Sequence, residues 1–317
     1  MSLGIVFALA AAVAFGFNGA TIRRGVATAA ASQGLYVTVL GGLVLFVLTA
    51  AASGQLLRTG EVAVRDYGFL VAGGLVHILA GRYCNFRAIA AMGANRVAPV
   101  MGSSAFVSVL IAVLFLDETV TLRIGVGIAL VMVGPALVAR RRTPVPATPA
   151  GASDDAPAGV AAPAPDAVGV ANSPNLKEGY LFGIMGAVLW GMGPVLMRAG
   201  VDSTGLGILG GLVTYGAAAT VLVLILAVPG QLAKTTSLDR LALRWFALST
   251  LNSFIANVFR FSALAIAPVT VVVPMIRTFA IFQLGFNFLI NRSLESFEPR
   301  ILVAIAVSVA GAVLLAT

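Results

Sequence analysis

Residues 4 to 26 of this chain recur 175 positions further on: Gly4 is matched by Gly179, Phe7 by Phe182, Gly16 by Gly191, Arg23 by Arg198 and Gly25 by Gly200. The same offset lays Ala88 on Ala263 and Pro99 on Pro274, and Gly54-Gln55-Leu56 meets Gly230-Gln231-Leu232 one residue later. A chain written twice folds as two similar units. Composition decides their solvent. With 59% hydrophobic and 10% charged residues and a mean hydropathy of +1.02, the chain has too little polar surface to cover a water-exposed globule, so the units belong in lipid. Backbone groups in hydrocarbon must be satisfied within their own element, which makes each apolar segment of about 20 residues a helix.

Ten such segments are expected, five per half: 3–22, 33–52, 67–90, 97–116 and 122–139, then 180–197, 206–228, 243–265, 269–290 and 301–316. The fold class is therefore all-α integral membrane, with one five-helix repeat over 1–139 and another over 177–317. Between them, 140–176 opens with three arginines and continues as a Pro, Ala, Asp and Ser mixture, the composition of a flexible spacer. Five is an odd number, so the second repeat enters the membrane from the opposite side, and the two are related by a pseudo-twofold axis in the membrane plane. The first segment has no basic stretch before it and recurs inside the chain, so it reads as a retained span.

One cysteine, Cys84, forbids an intramolecular disulfide, and one histidine, His77, forbids a histidine-rich metal site. Neither a metal nor a cofactor is expected, and a membrane enzyme would lack its nucleophile and base. The net charge of +8 comes from basic residues scattered at helix ends rather than gathered on one face, which argues against nucleic acid. The partners expected are a small-molecule substrate and the lipid bilayer, with monomer and homodimer both open.

Of 20 Lys and Arg residues, Arg82, Arg87, Arg260 and Arg277 fall inside expected spans, with Arg123 and Arg244 counted as loop charges because each is only the second residue of its span, whereas none of the 12 Asp and Glu residues falls inside one. An arginine in hydrocarbon costs roughly 2.5–3.5 kcal/mol on insertion scales and needs compensation, which an anionic substrate can supply. The offset pairs Arg82 with Asn257 and Asn85 with Arg260, so Arg and Asn sit in swapped order on equivalent helices. Each pair is spaced i, i+3 on one helical face. If both faces point inward, two guanidiniums and two amides converge on phosphate or carboxylate oxygens. Arg277, Asn18 and Trp190 complete the substrate-binding set read from the sequence. Snorkelling to an interface is the competing reading for the arginines, above all for Arg87. Asn252, Gln283 and Asn287 read as joining helices, and Tyr83 and His77 as packing residues. Pro99 and Pro274, at equivalent positions, are the candidate hinges.

Phe15-Gly16-Phe17-Asn18 and Trp190-Gly191-Met192-Gly193-Pro194, each followed by a basic residue (Arg23 or Arg198), resemble the first repeat helix of EamA-like carriers in the drug/metabolite transporter superfamily. Ala94-Asn95-Arg96-Val97-Ala98-Pro99 and Leu116-Asp117-Glu118-Thr119-Val120-Thr121 resemble that family's signatures around the fourth helix. The second half departs from them, with Leu289-Ile290-Asn291-Arg292-Ser293-Leu294 where a Gly-Glu turn is expected. The resemblance implies a carrier in the inner cell membrane. It also implies an orientation opposite to the one the positive-inside rule gives, since twelve basic residues follow odd-numbered spans and four follow even-numbered ones. The function expected is secondary transport of a small polar metabolite, anionic or zwitterionic, by alternating access. The alternatives are a drug or amino-acid exporter of the same fold, a lipid translocase and a non-transporting scaffold. The lack of an intramembrane carboxylate argues against proton-driven export of lipophilic cations.

Overall fold

The computed structural model describes residues 2–115 and 175–316, with scattered positions between 122 and 137. The fifth expected span therefore lies largely outside the described residues, as does the linker up to residue 174. Among the described residues the chain is helical without strands. Its long helices are α1 (Ser2–Gly25), α2 (Ala31–Ala52), α3 (Val64–Met92), α4 (Ala94–Phe115), α5 (Leu176–Val201), α6 (Gly207–Leu226), α7 (Arg240–Ile266), α8 (Val269–Ile290) and α9 (Pro299–Ala316).

Seven of these, α1 to α6 and α8, are long and apolar enough to cross a membrane. α7 is long enough at 27 residues but carries Arg240, Arg244 and Arg260. Their outer faces are apolar: Val6, Leu48, Leu114, Leu181 and Leu224 are each more than half exposed, the reverse of a water-soluble surface and what a lipid environment requires.

Local chemistry sets the boundaries. Asp239 caps α7 by accepting from the N–H groups of Leu241 and Ala242, and the Asn175 side chain accepts from Glu178 N–H at the start of α5. Gly93, at φ 87°, ends α3 in a conformation that favours glycine. The helix ladders of α4 and α8 are interrupted at Ser103 and Thr278, four residues after Pro99 and Pro274. Those two breaks are 175 residues apart, and the ends of α1 and α5, α2 and α6, and α3 and α7 agree at that offset to within one residue.

The packing repeats with the sequence. α1 lies chiefly against α7 and α8, and α5 against α3 and α4. A Cβ on Gly16 would come 3.0 Å from the carbonyl oxygen of Phe279, and a Cβ on Gly191 would come 3.0 Å from that of Ser104, its counterpart. Likewise Gly4 abuts Ala267, and Gly179 abuts Met92. The first helix of each half therefore closes on the third and fourth helices of the other, and its glycines allow the approach.

Candidate functional site

Where α1, α3, α4, α5, α7 and α8 meet, they leave a cavity. Six pairs of residues related by the 175 offset line it: Phe15 and Trp190, Gly19 and Pro194, Arg82 and Asn257, Asn85 and Arg260, Ala98 and Val273, Met101 and Ile276. The cavity thus lies at the junction of the two copies. All seven residues proposed from the sequence, Arg82, Asn85, Asn257, Arg260, Arg277, Asn18 and Trp190, are among its walls.

The wall is built from small-residue motifs. In Trp190-Gly191-Met192-Gly193-Pro194 the indole faces the cavity while Gly191 meets α4, and its carbonyl accepts from Ser108 Oγ at 2.7 Å. Gly193 leaves room for the imidazole of His77, which a Cβ there would strike. His77 sits in a stretch of α3, Gly74–Gly81, that widens to π-helical winding immediately before Arg82. Such a bulge re-aims the side chains that follow it.

Arg82, Arg260 and Arg277 are all buried, at 7%, 4% and 7% exposure, and among the described residues no Asp or Glu lines the cavity. Their surroundings differ. Arg82 Nη2 donates to Tyr215 Oη at 2.7 Å and to Ser253 Oγ at 2.9 Å, and Asn257 Nδ2 donates to the same phenol at 3.0 Å. Arg260 Nη1 donates to His77 Nε2, while among the described residues its Nε and Nη2 have no acceptor, nor has Arg277 Nε or Trp190 Nε1. Aromatic rings provide much of the remaining enclosure. Arg260 lies over Phe15 and Phe261, Arg277 over Trp190 at 5.7 Å, and His77 stacks on Trp190 at 5.4 Å.

Other residues fall elsewhere. Arg87 is not an unpaired membrane arginine, because it forms an ion pair with Glu178 at the start of α5. The expectation that all four arginines lack a carboxylate is corrected on this point, since α5 begins early enough to bring Glu178 alongside. α3 also begins earlier than expected and takes Asp66 into its first turn. Tyr83 packs edge-on against Phe182 outside the cavity. Asn287 bonds to Asn95 and Asn291 instead of facing the cavity, and Gln283, at the wall, donates to Ala94 O at 2.7 Å.

Sequence reading missed Tyr215, Ser253 and Glu295. Ser253 lies four residues before Asn257 on the same helical face, a signal that was available. Glu295 follows α8 as Glu118 follows α4, but two residues later than the offset predicts, so the second half appeared to lack the acidic turn. Its carboxylate accepts from Ala94 N–H and Asn95 N–H, both at 2.8 Å, and pairs with Arg23 at 2.8 Å. It therefore caps α4 and ties it to the end of α1.

Residues 2–140 match the model of the EamA-like transporter family. This is the family that the motifs of the first half resemble, and the match accords with a multi-pass membrane protein. No curated protein matches the chain. Among solved structures, one described simply as "Crystal structure of protein" covers 96% of this chain and 94% of its own at a TM-score of 0.59 and 16% identity. That likeness spans both halves and speaks of the fold alone.

Proposed function

We propose that the protein is a secondary carrier of a small anionic or zwitterionic metabolite, working by alternating access. The observation that carries this reading is the cavity holding three buried arginines with no carboxylate among the described residues of its wall. Buried guanidiniums without counter-charge are costly, and a substrate that brings negative charge offsets the cost.

Alternating access draws support from the directions of the paired helices. α1 ends beside the 91–95 turn, where Asn175 N–H bonds to Ala91 O and α5 begins. It starts beside Ala267, near Leu264, whose carbonyl accepts from Arg198 at the end of α5. Opposed first helices fit an inverted pair of five-helix repeats, 1–139 and 177–317, joined by the 140–176 spacer in an inner membrane, with the substrate between them. Pro99 and Pro274, just ahead of the breaks at Ser103 and Thr278, are the hinges in this scheme.

The test is thermal stabilisation of the purified protein by phosphorylated, carboxylated, zwitterionic and cationic metabolites, since a ligand bound only by the native state raises its stability. Stabilisation by anions or zwitterions that is lost in Arg260→Ala supports the reading. Stabilisation by cations or neutral compounds alone overturns it and favours a drug exporter of the same fold.

A further inference from the structure

Resting on the reading of an anion carrier, we infer that one end of the cavity is a subsite for a doubly charged oxyanion, a phosphate monoester or a dicarboxylate, held between Arg260 and Arg277. The three arginines do not play one role. Arg82 has its Nη2 donor engaged by Tyr215 and Ser253. Among the described residues, Arg260 and Arg277, each more than nine-tenths buried, together keep three guanidinium nitrogens without an acceptor, and the Trp190 indole N–H beside them lacks one too.

Four unmatched donors at one side of a cavity describe the complement of a group with several acceptor oxygens. A buried N–H without a partner is expensive, so the arrangement is satisfied only when a ligand supplies the oxygens. Two full positive charges with no carboxylate among the described residues of the wall favour a ligand group of two negative charges over one. Planar guanidiniums suit the paired oxygens of phosphate and carboxylate alike. The indole ring holds Arg277 over its face while its edge offers the N–H. His77, bonded to Arg260 Nη1 and stacked on the same indole, is a positioning residue that leaves Nε and Nη2 of Arg260 for the ligand.

The chain has two tryptophans, Trp190 and Trp245, so Trp245→Phe in the full-length protein leaves Trp190 as a fluorescent reporter at the subsite. Its emission is titrated with inorganic phosphate, malonate and acetate at constant ionic strength. A saturable change is expected with phosphate or malonate, at concentrations about tenfold or more below those acetate requires. Arg277→Gln is expected to weaken the response about tenfold or more, Arg277→Lys to weaken it less, and Arg82→Gln to weaken it least. Arg277→Gln titrating as the parent does, or acetate acting as well as phosphate, overturns the subsite while leaving anion transport standing. A response to none of the three anions, with stabilisation by cations alone, overturns the underlying reading as well.

Discussion

Arg260 donates through Nη1 to Nε2 of His77. A guanidinium has donors and no acceptor, so Nε2 must be unprotonated and the neutral imidazole carries its hydrogen on Nδ1. The bond crosses between α7 and α3, helices of different halves, and fixes the Arg260 fork against the cavity. Replacing the acceptor tests this. His77→Leu leaves another buried Arg260 donor unmatched and is expected to cost about 1–3 kcal/mol of stability, whereas His77→Gln, which keeps an acceptor, recovers most of it. Thermal unfolding of both variants in detergent measures the difference.

Tyr215 makes the corresponding anchor for Arg82. Its hydroxyl receives Arg82 Nη2 and Asn257 Nδ2 while its ring packs 4.9 Å from Phe46. Tyr215→Phe keeps the ring and removes the acceptor. Ser253 still accepts from both donors, so the cost is expected near the low end for a buried hydrogen bond, about 1 kcal/mol. Equilibrium unfolding of the single variant and of Tyr215→Phe with Ser253→Ala checks it, the pair costing more than the sum because neither hydroxyl then remains for Arg82 Nη2, although Asn257 keeps the Ser253 carbonyl.

The glycine contacts between halves make a paired prediction. Gly16→Ala drives a methyl against the Phe279 carbonyl, and Gly191→Ala does the same against Ser104. Backbone cannot step aside as a flexible side chain can, so each substitution is expected to destabilise by about 1–3 kcal/mol. Gly285→Ala has open space around it and is expected to be neutral within about 0.5 kcal/mol in the same unfolding assay.

Glu295 sets a pH dependence. Burial raises its pKa above the ordinary carboxylate value, outweighing Arg23 and the N–H groups of Asn95 and Ala94, which pull it down. The folded protein therefore takes up this proton at higher pH than the unfolded chain does. The resulting stabilisation is fully present below the unfolded pKa and is lost as pH rises through the folded one. Wild type is expected to gain melting temperature relative to Glu295→Gln as pH falls from neutral toward the carboxylate range. Parallel pH profiles of the two proteins would refute this if they keep a constant separation.

Much of the site was legible because the duplication and the lipid solvent act together. An arginine in an apolar span stands out, and the swap of Arg82/Asn257 against Asn85/Arg260 marks the helical face that points inward. Phe15 and Trp190 follow from the same offset. Partner choice was less accessible. Nothing in the spacing says that Tyr215, on a different helix, takes Arg82, or that Glu178 reaches Arg87 from the start of α5. Those contacts depend on how the helices cross. Glu295 escaped because two extra residues shift it out of register, although its capping role at Ala94 and Asn95 is set by geometry alone.

Carriage of an anionic or zwitterionic metabolite through the cavity can be measured outright. Its most direct test offers proteoliposomes a mixture of phosphorylated, carboxylated, zwitterionic and cationic metabolites, then identifies by mass spectrometry what accumulates relative to protein-free vesicles. Enrichment of anions or zwitterions is expected, and it disappears in the Arg260→Ala, Arg277→Ala double variant. Enrichment of cations or neutral compounds alone, or undiminished anion uptake by the double variant, would contradict it.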